Sequence, residues 1–259
     1  FFVFLVETGF HRVSQDGLDL LTVWGPAHAY TELAVFDRLA GPGQVYETNE
    51  DLKKGLIQAY KEFLDDYKAA GGQIIQFDDC LWELFDESNP ASFFAEVNAS
   101  LADLADEFVA INNEVVDYAH ELGLTVWTHN CRGNYESRSA AEGTYEAIAE
   151  KFLRNQHYDR YFLEWDSDVA GDVSALVALK DKNAEVVLGL LSSKTTGLDD
   201  EKRVLDLLEK AATVLPKDRL LLSHQCGFAS CDSGNELTIE QQWAKIKQGQ
   251  EIAKKFWGE

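Results

Sequence analysis

The sequence predicts an α/β fold built on parallel strands, a TIM-type (β/α)8 barrel. Three observations carry that expectation. Short, almost continuously apolar runs recur along the chain, at about residues 20–24, 73–77, 124–128, 160–164, 186–190 and 219–223. Strands buried on both faces of a parallel sheet have that character, whereas a half-exposed strand alternates. Amphipathic helical stretches separate the runs, and β-α alternation implies right-handed crossovers between parallel strands.

Each intervening helix carries its own signals. Thr48-Asn49-Glu50-Asp51 has the pattern of a capping box, Leu56, Tyr60, Phe63, Leu64 and Tyr67 share one face, and Gly71 ends the helix. A second helix spans about 102–122 and stops at Gly123. Residues 201–214 form a third, ahead of Pro216, and 238–256 form the last. Six strands are counted against the eight of a closed barrel, so the barrel is expected to be N-terminally incomplete. No linker or repeat divides the chain, and residues 1–259 are read as a single domain. No GxGxxG or P-loop follows a strand, which leaves a nucleotide-binding doubly wound sheet without support.

Composition narrows the partners. The chain of 259 residues has 23 Lys and Arg against 45 Asp and Glu, a formal charge of -22. Such a surface repels phosphate backbones and anionic lipid, so neither nucleic acid nor a membrane surface is an expected partner. No apolar run is long enough to span a bilayer, and the opening FFVFLVETGF lacks the flanks of a signal peptide. Four cysteines in a chain this long do not make a disulfide framework, and a reduced, cytoplasmic setting is expected.

Function in a parallel α/β barrel gathers where strands end. The exits here read Gln76-Phe77-Asp78-Asp79-Cys80, Thr128-His129-Asn130-Cys131-Arg132, Phe162-Leu163-Glu164-Trp165 and Ser223-His224-Gln225-Cys226-Gly227. His129 and Cys131 are two apart, so on an extended segment they face the same side. Zinc accepts Cys sulfur, His nitrogen and Glu oxygen together, whereas magnesium and calcium prefer oxygen shells. His129, Cys131, Glu164 and Cys226 therefore form a candidate zinc set, and zinc can hold a substrate thiol as its nucleophilic thiolate. Blander readings stand beside these. A buried Cys often acts as a small hydrophobe, Glu164 could pair with an Arg, and Asp78 and Asp79 could cap a loop. Cys80 and Cys231 read as structural or incidental, His224 as a residue behind the ligands or at the surface, and His28 as a pocket or a turn residue.

At these residues the sequence resembles the catalytic barrel of cobalamin-independent methionine synthases, in particular short single-barrel members. The matching segments are IIQFDDCLW (74–82), HNCRGNYES (129–137), YFLEWDSDVAGD (161–172), VVLGLLSSKT (186–195) and LLLSHQCGFAS (220–230), covering about residues 45–259. The resemblance implies zinc on His129, Cys131, Glu164 and Cys226, with Asp78 holding the substrate amino group. It implies an S-methyltransferase that passes a methyl group to homocysteine and yields methionine. The donor is methyltetrahydrofolate in the long synthases and stays open between that and another carrier here. Two departures are visible. Ser192-Ser193 stands where the long synthases carry a His, and Trp24-Gly25-Pro26 stands where the family has Pro-Ser-Pro. Residues 1–22 look foreign to the family and resemble translated interspersed-repeat sequence. The chain also has no Met. Two other readings stay open: a methyltransferase acting on a different thiol, and a non-catalytic zinc-binding barrel fragment.

Overall fold

A computed structural model describes residues 11–13, 20–86, 101–230 and 232–258. Among the described residues, seven strands and six α-helices carry the fold: β1 (His11–Val13), β2 (Leu20–Trp24), α1 (Pro26–Thr31), α2 (Asn49–Ala69), β3 (Ile74–Asp78), α3 (Leu101–Glu121), β4 (Thr125–Asn130), α4 (Tyr145–Ile148), β5 (Arg160–Glu164), β6 (Glu185–Leu191), α5 (Glu201–Ala212), β7 (Leu220–His224) and α6 (Ile239–Trp257). The strands follow one another in chain order, and six of them, β2 to β7, form the parallel α/β sheet predicted from the apolar runs. Among the described residues neither β1 nor β7 has a second neighbour, so the barrel is open. Cys231 lies outside the described residues.

The described residues fall into two compact units whose boundary passes through β4, between His129 and Asn130. The first takes residues within 1–81, 93–129 and 155–159. Here β2, β3 and β4 pair in parallel, with Trp24 in register with Asp78 and Asp78 in register with His129. Strand β1 adds antiparallel to β2. The apolar face of α2 (Leu52, Leu56, Tyr60, Leu64) and that of α3 (Phe108, Ile111, Val115, Ala119) are buried with Ile75 and Phe77 of β3. Thr48 caps α2 by accepting the Asp51 N–H, and Gly71, at φ +95°, takes the left-handed turn that ends it.

The second unit takes residues within 82–92, 130–154 and 160–259. Strands β5, β6 and β7 pair in parallel, and a register shift between Gly189 and Leu191 marks a bulge in β6. Val186, Leu188 and Leu190 of β6 are buried, as are Val204 and Leu208 of α5 and Ile252 and Phe256 of α6. A full capping box at Thr238 and Gln241 opens α6. The predicted strand positions agree with the structure to within a residue or two. Periodicity gave no sign of α1, α4 or the 3-10 turns at Asp168–Ala170 and Val173–Leu179. These segments are too short for a 3.6-residue repeat to emerge.

Candidate metal centre

The exit of β4 supplies two of the predicted ligands. Along this strand Val126, Thr128 and Asn130 are buried while His129 is less so, and Cys131 follows with the same orientation as His129. Gly133 then turns the chain at φ +91°, and a Cβ there would meet the Ala140 backbone nitrogen at 2.4 Å. Its N–H points back to Cys131 Sγ at 3.4 Å.

Glu164 ends β5. Its carboxylate is buried, receives the Arg132 N–H on Oε1 at 3.3 Å, and has the Lys194 ammonium 3.5 Å from Oε2. Both distances exceed those of a tight charge-assisted hydrogen bond, about 2.7–2.9 Å. The Glu164 N–H donates to the Tyr145 hydroxyl at 3.0 Å, which anchors the backbone behind the carboxylate.

Cys226 follows β7 in a loop fixed by polar contacts. Ser193 donates its N–H to Gln225 Oε1 at 2.6 Å and its hydroxyl to the Gly227 carbonyl at 2.8 Å. Asn134 donates to the same carbonyl at 2.7 Å, and Asn235 donates to Asn134 Oδ1 at 2.9 Å. The Cys226 sulfur lies 3.5 Å from the Ser230 hydroxyl.

These exits bring the predicted set together. One ligand atom from each of His129, Cys131, Glu164 and Cys226 lies within 4.8 Å of the others. Cys131 Sγ and Cys226 Sγ are 3.9 Å apart. That is far beyond a disulfide bond, and it matches the separation of about 3.8 Å for two thiolates at 2.3 Å from one tetrahedral zinc. The donor chemistry also fits: two thiols, an imidazole and a carboxylate form a borderline-soft set. Two thiolates and a carboxylate this close repel one another by roughly 4 kcal/mol per pair at an effective dielectric near 20. Protons on the thiols or a cation at their centre relieve that, so metal entry and loss of the thiol protons are coupled.

Other predicted residues are placed as follows. Asp78 ends β3, accepts a hydrogen bond from Gln76 Nε2 at 3.0 Å, and is the in-register neighbour of His129. Asp79 is buried and receives Asn112 Nδ2 at 2.6 Å, so it acts in the fold. His224 packs against Phe228 with the rings tilted by 57° and 4.8 Å between centroids, and burial lowers its pKa. Cys80 is a half-buried reduced thiol.

Sequence reasoning missed three positions that shape the centre. Arg132 is buried, lies 4.5 Å over the Tyr145 ring, and places Nε 3.3 Å from the buried Glu83. Gly189 is required where it stands, because a Cβ would meet the Leu163 carbonyl at 2.8 Å and Gln225 Cα at 2.7 Å, each adjacent to a ligand. Asn235, shortly after Cys226 and in neither strand nor helix, ties that loop to Asn134, 101 positions earlier in the chain, and to the Ser193 carbonyl. Only Gly189 left a signal, as a lone glycine inside an apolar strand run.

Comparison with known proteins agrees with this architecture. No protein-family model matches the chain. The structure superposes on a candidate vitamin-B12-independent methionine synthase from Listeria monocytogenes with a TM-score of 0.64 and 24% identity, covering 92% of this chain and 64% of that one. A B12-independent methionine synthase from Shewanella sp. W3-18-1, in complex with selenomethionine, gives 0.60 at 21% identity, covering 91% and 62%. The chain therefore has the methionine-synthase-like fold. In sequence it is 35% identical over 248 residues to YxjH of Bacillus subtilis (strain 168), an uncharacterized protein, covering 95% of this chain and 64% of that one. The chain thus spans less than two thirds of the length of each of these three proteins.

Proposed function

We propose that this protein is a zinc-dependent S-methyltransferase of the cobalamin-independent methionine synthase family, with homocysteine as the methyl acceptor. The observation that carries the reading is the convergence of His129, Cys131, Glu164 and Cys226 to within 4.8 Å. A likeness in fold to proteins described as methionine synthases supports it.

These four residues would hold the zinc. When bound, zinc supplies Lewis-acid stabilisation of the substrate thiol as thiolate. The chain's own groups do the rest. Asp78, beside His129 in register, is the candidate partner for the ammonium of an amino-acid substrate, and a carboxylate there would fix its orientation. The Lys194 ammonium, 3.5 Å from Glu164, and the Arg132 guanidinium, which interacts with Glu164 electrostatically, offset the negative charge that two cysteines and a glutamate concentrate there. The reading includes a reducing, cytoplasmic setting, because oxidation of Cys131 and Cys226 to a disulfide would remove two ligands.

The test is methyl transfer by the zinc-loaded protein to homocysteine from a panel of donors, methyltetrahydrofolates and other methyl carriers, with methionine detected by mass spectrometry. Methionine formation that Cys226→Ala abolishes and Asp78→Asn weakens mainly through KM supports the assignment. Absence of methionine with every donor, while another thiol is methylated, reassigns the acceptor. Zinc retention with no transfer to any thiol leaves a zinc-binding domain only. No helix among the described residues is long and apolar enough to cross a membrane.

A further inference from the structure

The polar contacts behind Cys226 have a direction, which their backbone ends fix. A side-chain amide carries one acceptor oxygen and two N–H donors, and its neighbours decide which end is which. The Ser137 N–H donates to Asn235 Oδ1 at 3.1 Å, so the opposite end of that amide is the donor. One Asn235 N–H goes to the Ser193 carbonyl and the other to Asn134 Oδ1, each at 2.9 Å. Asn134 is thereby turned with its nitrogen toward the Gly227 carbonyl at 2.7 Å and the Ser230 hydroxyl oxygen at 2.8 Å. Ser230 accepts from Asn134 and keeps its one hydrogen to give, and Cys226 Sγ lies 3.5 Å from its oxygen. All of these residues belong to the second unit.

We propose, resting on the reading of a zinc-held thiol acceptor, that Ser230 is a positioning residue. It donates its hydroxyl hydrogen to the ligating Cys226 sulfur and so steers methylation away from Cys226 and onto the substrate thiol. A ligating thiolate has no hydrogen, so in that state only the hydroxyl can donate across the 3.5 Å. Ser230 is exposed while Asn134 is buried, so the buried amide holds the hydroxyl in place against competing water. The other ligand cysteine has a matching contact from the backbone, the Gly133 N–H at 3.4 Å from Cys131 Sγ.

The need for such bonds is chemical. Two protein sulfurs share a centre with the substrate sulfur, and each thiolate is a nucleophile toward an electrophilic methyl group. Attack by Cys226 would form an S–CH3 bond, break the bond between methyl and carrier, and release the carrier with the electron pair. The product is a neutral thioether that no longer brings a negative charge to the metal. A hydrogen bond donated to an anionic sulfur stabilises its lone pairs, and a thiolate so stabilised is a poorer nucleophile.

The test is alkylation of the zinc-loaded full chain by methyl iodide, followed at each cysteine by peptide mass spectrometry. Sulfur attacks the methyl carbon, the S–C bond forms, and iodide leaves with the electron pair of the broken C–I bond. In Ser230→Ala, Cys226 should be methylated about threefold faster or more, the effect of a modest rise in sulfur basicity. Cys131, served by a backbone N–H, should keep its rate, and Ser230→Thr should restore that of Cys226. With cobalt in place of zinc, the sulfur-to-cobalt charge-transfer band should move to longer wavelength in Ser230→Ala and return in Ser230→Thr. An unchanged Cys226 rate or an unshifted band in a Ser230→Ala chain that holds its metal overturns the proposal and leaves the metal reading intact. A rise at Cys131 as large as that at Cys226 also overturns it, because general loosening of the loops would produce that. An unmodified chain that binds neither zinc nor cobalt fails the metal reading itself, and the proposal falls with it.

Discussion

Cys131 Sγ and Cys226 Sγ stand 3.9 Å apart, brought together from exits ninety-five positions apart in sequence. This separation suits two ligands of one metal and is not that of a bonded disulfide. Replacing either cysteine with Ser should lower zinc affinity by at least a hundredfold, because a hydroxyl is a far weaker zinc ligand than a thiolate. Competition against a chromophoric chelator measures the loss. Since the metal binds the folded chain, saturating zinc at about a thousand times its Kd should add about 4 kcal/mol to stability, and at the same zinc concentration that gain should fall by about 3 kcal/mol or more in each variant.

Gly189 admits the backbone on both sides of it. Gly189→Ala places a Cβ within 3 Å of the Leu163 carbonyl and of Gln225 Cα, and neither is a flexible side chain. Thermal melts should show about 1–3 kcal/mol of destabilisation. Zinc affinity should fall as well, since Glu164 and Cys226 are the next residues along.

Arg132 and Glu83 are both buried, so removing one partner strands the other charge. Arg132→Met should cost about 3–5 kcal/mol, and adding Glu83→Gln should recover part of it. Chemical denaturation of the two single variants and the double variant checks this. Arg132→Lys should not restore the native value, because a point charge cannot reproduce the guanidinium over Tyr145.

His120 and Asp159 give stability a pH dependence in the first unit. Their side chains lie 3.0 Å apart, and Asp159 also accepts the N–H of buried Val126 at 2.7 Å. The hydrogen bond that His120 donates to Asp159 raises the His120 pKa against the effect of burial. For Asp159 burial acts upward, but His120 and the Val126 N–H outweigh it and lower the pKa. The histidine contribution is thus complete below its unfolded value near 6.5 and is lost as pH rises through the higher folded value. The aspartate contribution is complete above about 4 and is lost as pH falls through the lower folded value. Both groups are partly exposed, so the ion pair is worth at most about 1 kcal/mol. Denaturation across pH 3–9 should show a plateau between the two losses, and Asp159→Asn should flatten both edges.

The ligand set was legible because each member falls at a strand end, and strand ends follow from apolar runs that local sequence displays. His129 and Cys131 share a side through the two-residue repeat of an extended chain alone. Arg132 with Glu83, and Asn134 with Asn235, were not legible, since no local pattern records which distant polar groups will meet. Gly189 was visible as a residue but not as a requirement, which only its neighbours Leu163 and Gln225 reveal. His28 could be read equally as a turn or a pocket residue until Trp24 and Glu32 were seen beside it.

Zinc content of the purified chain, together with zinc-edge X-ray absorption with and without homocysteine, tests the central claim most directly. One zinc per chain with two sulfur ligands, rising to three when homocysteine is added, is the predicted result. A folded protein that retains no zinc, or one whose sulfur count stays unchanged with homocysteine, would contradict the account.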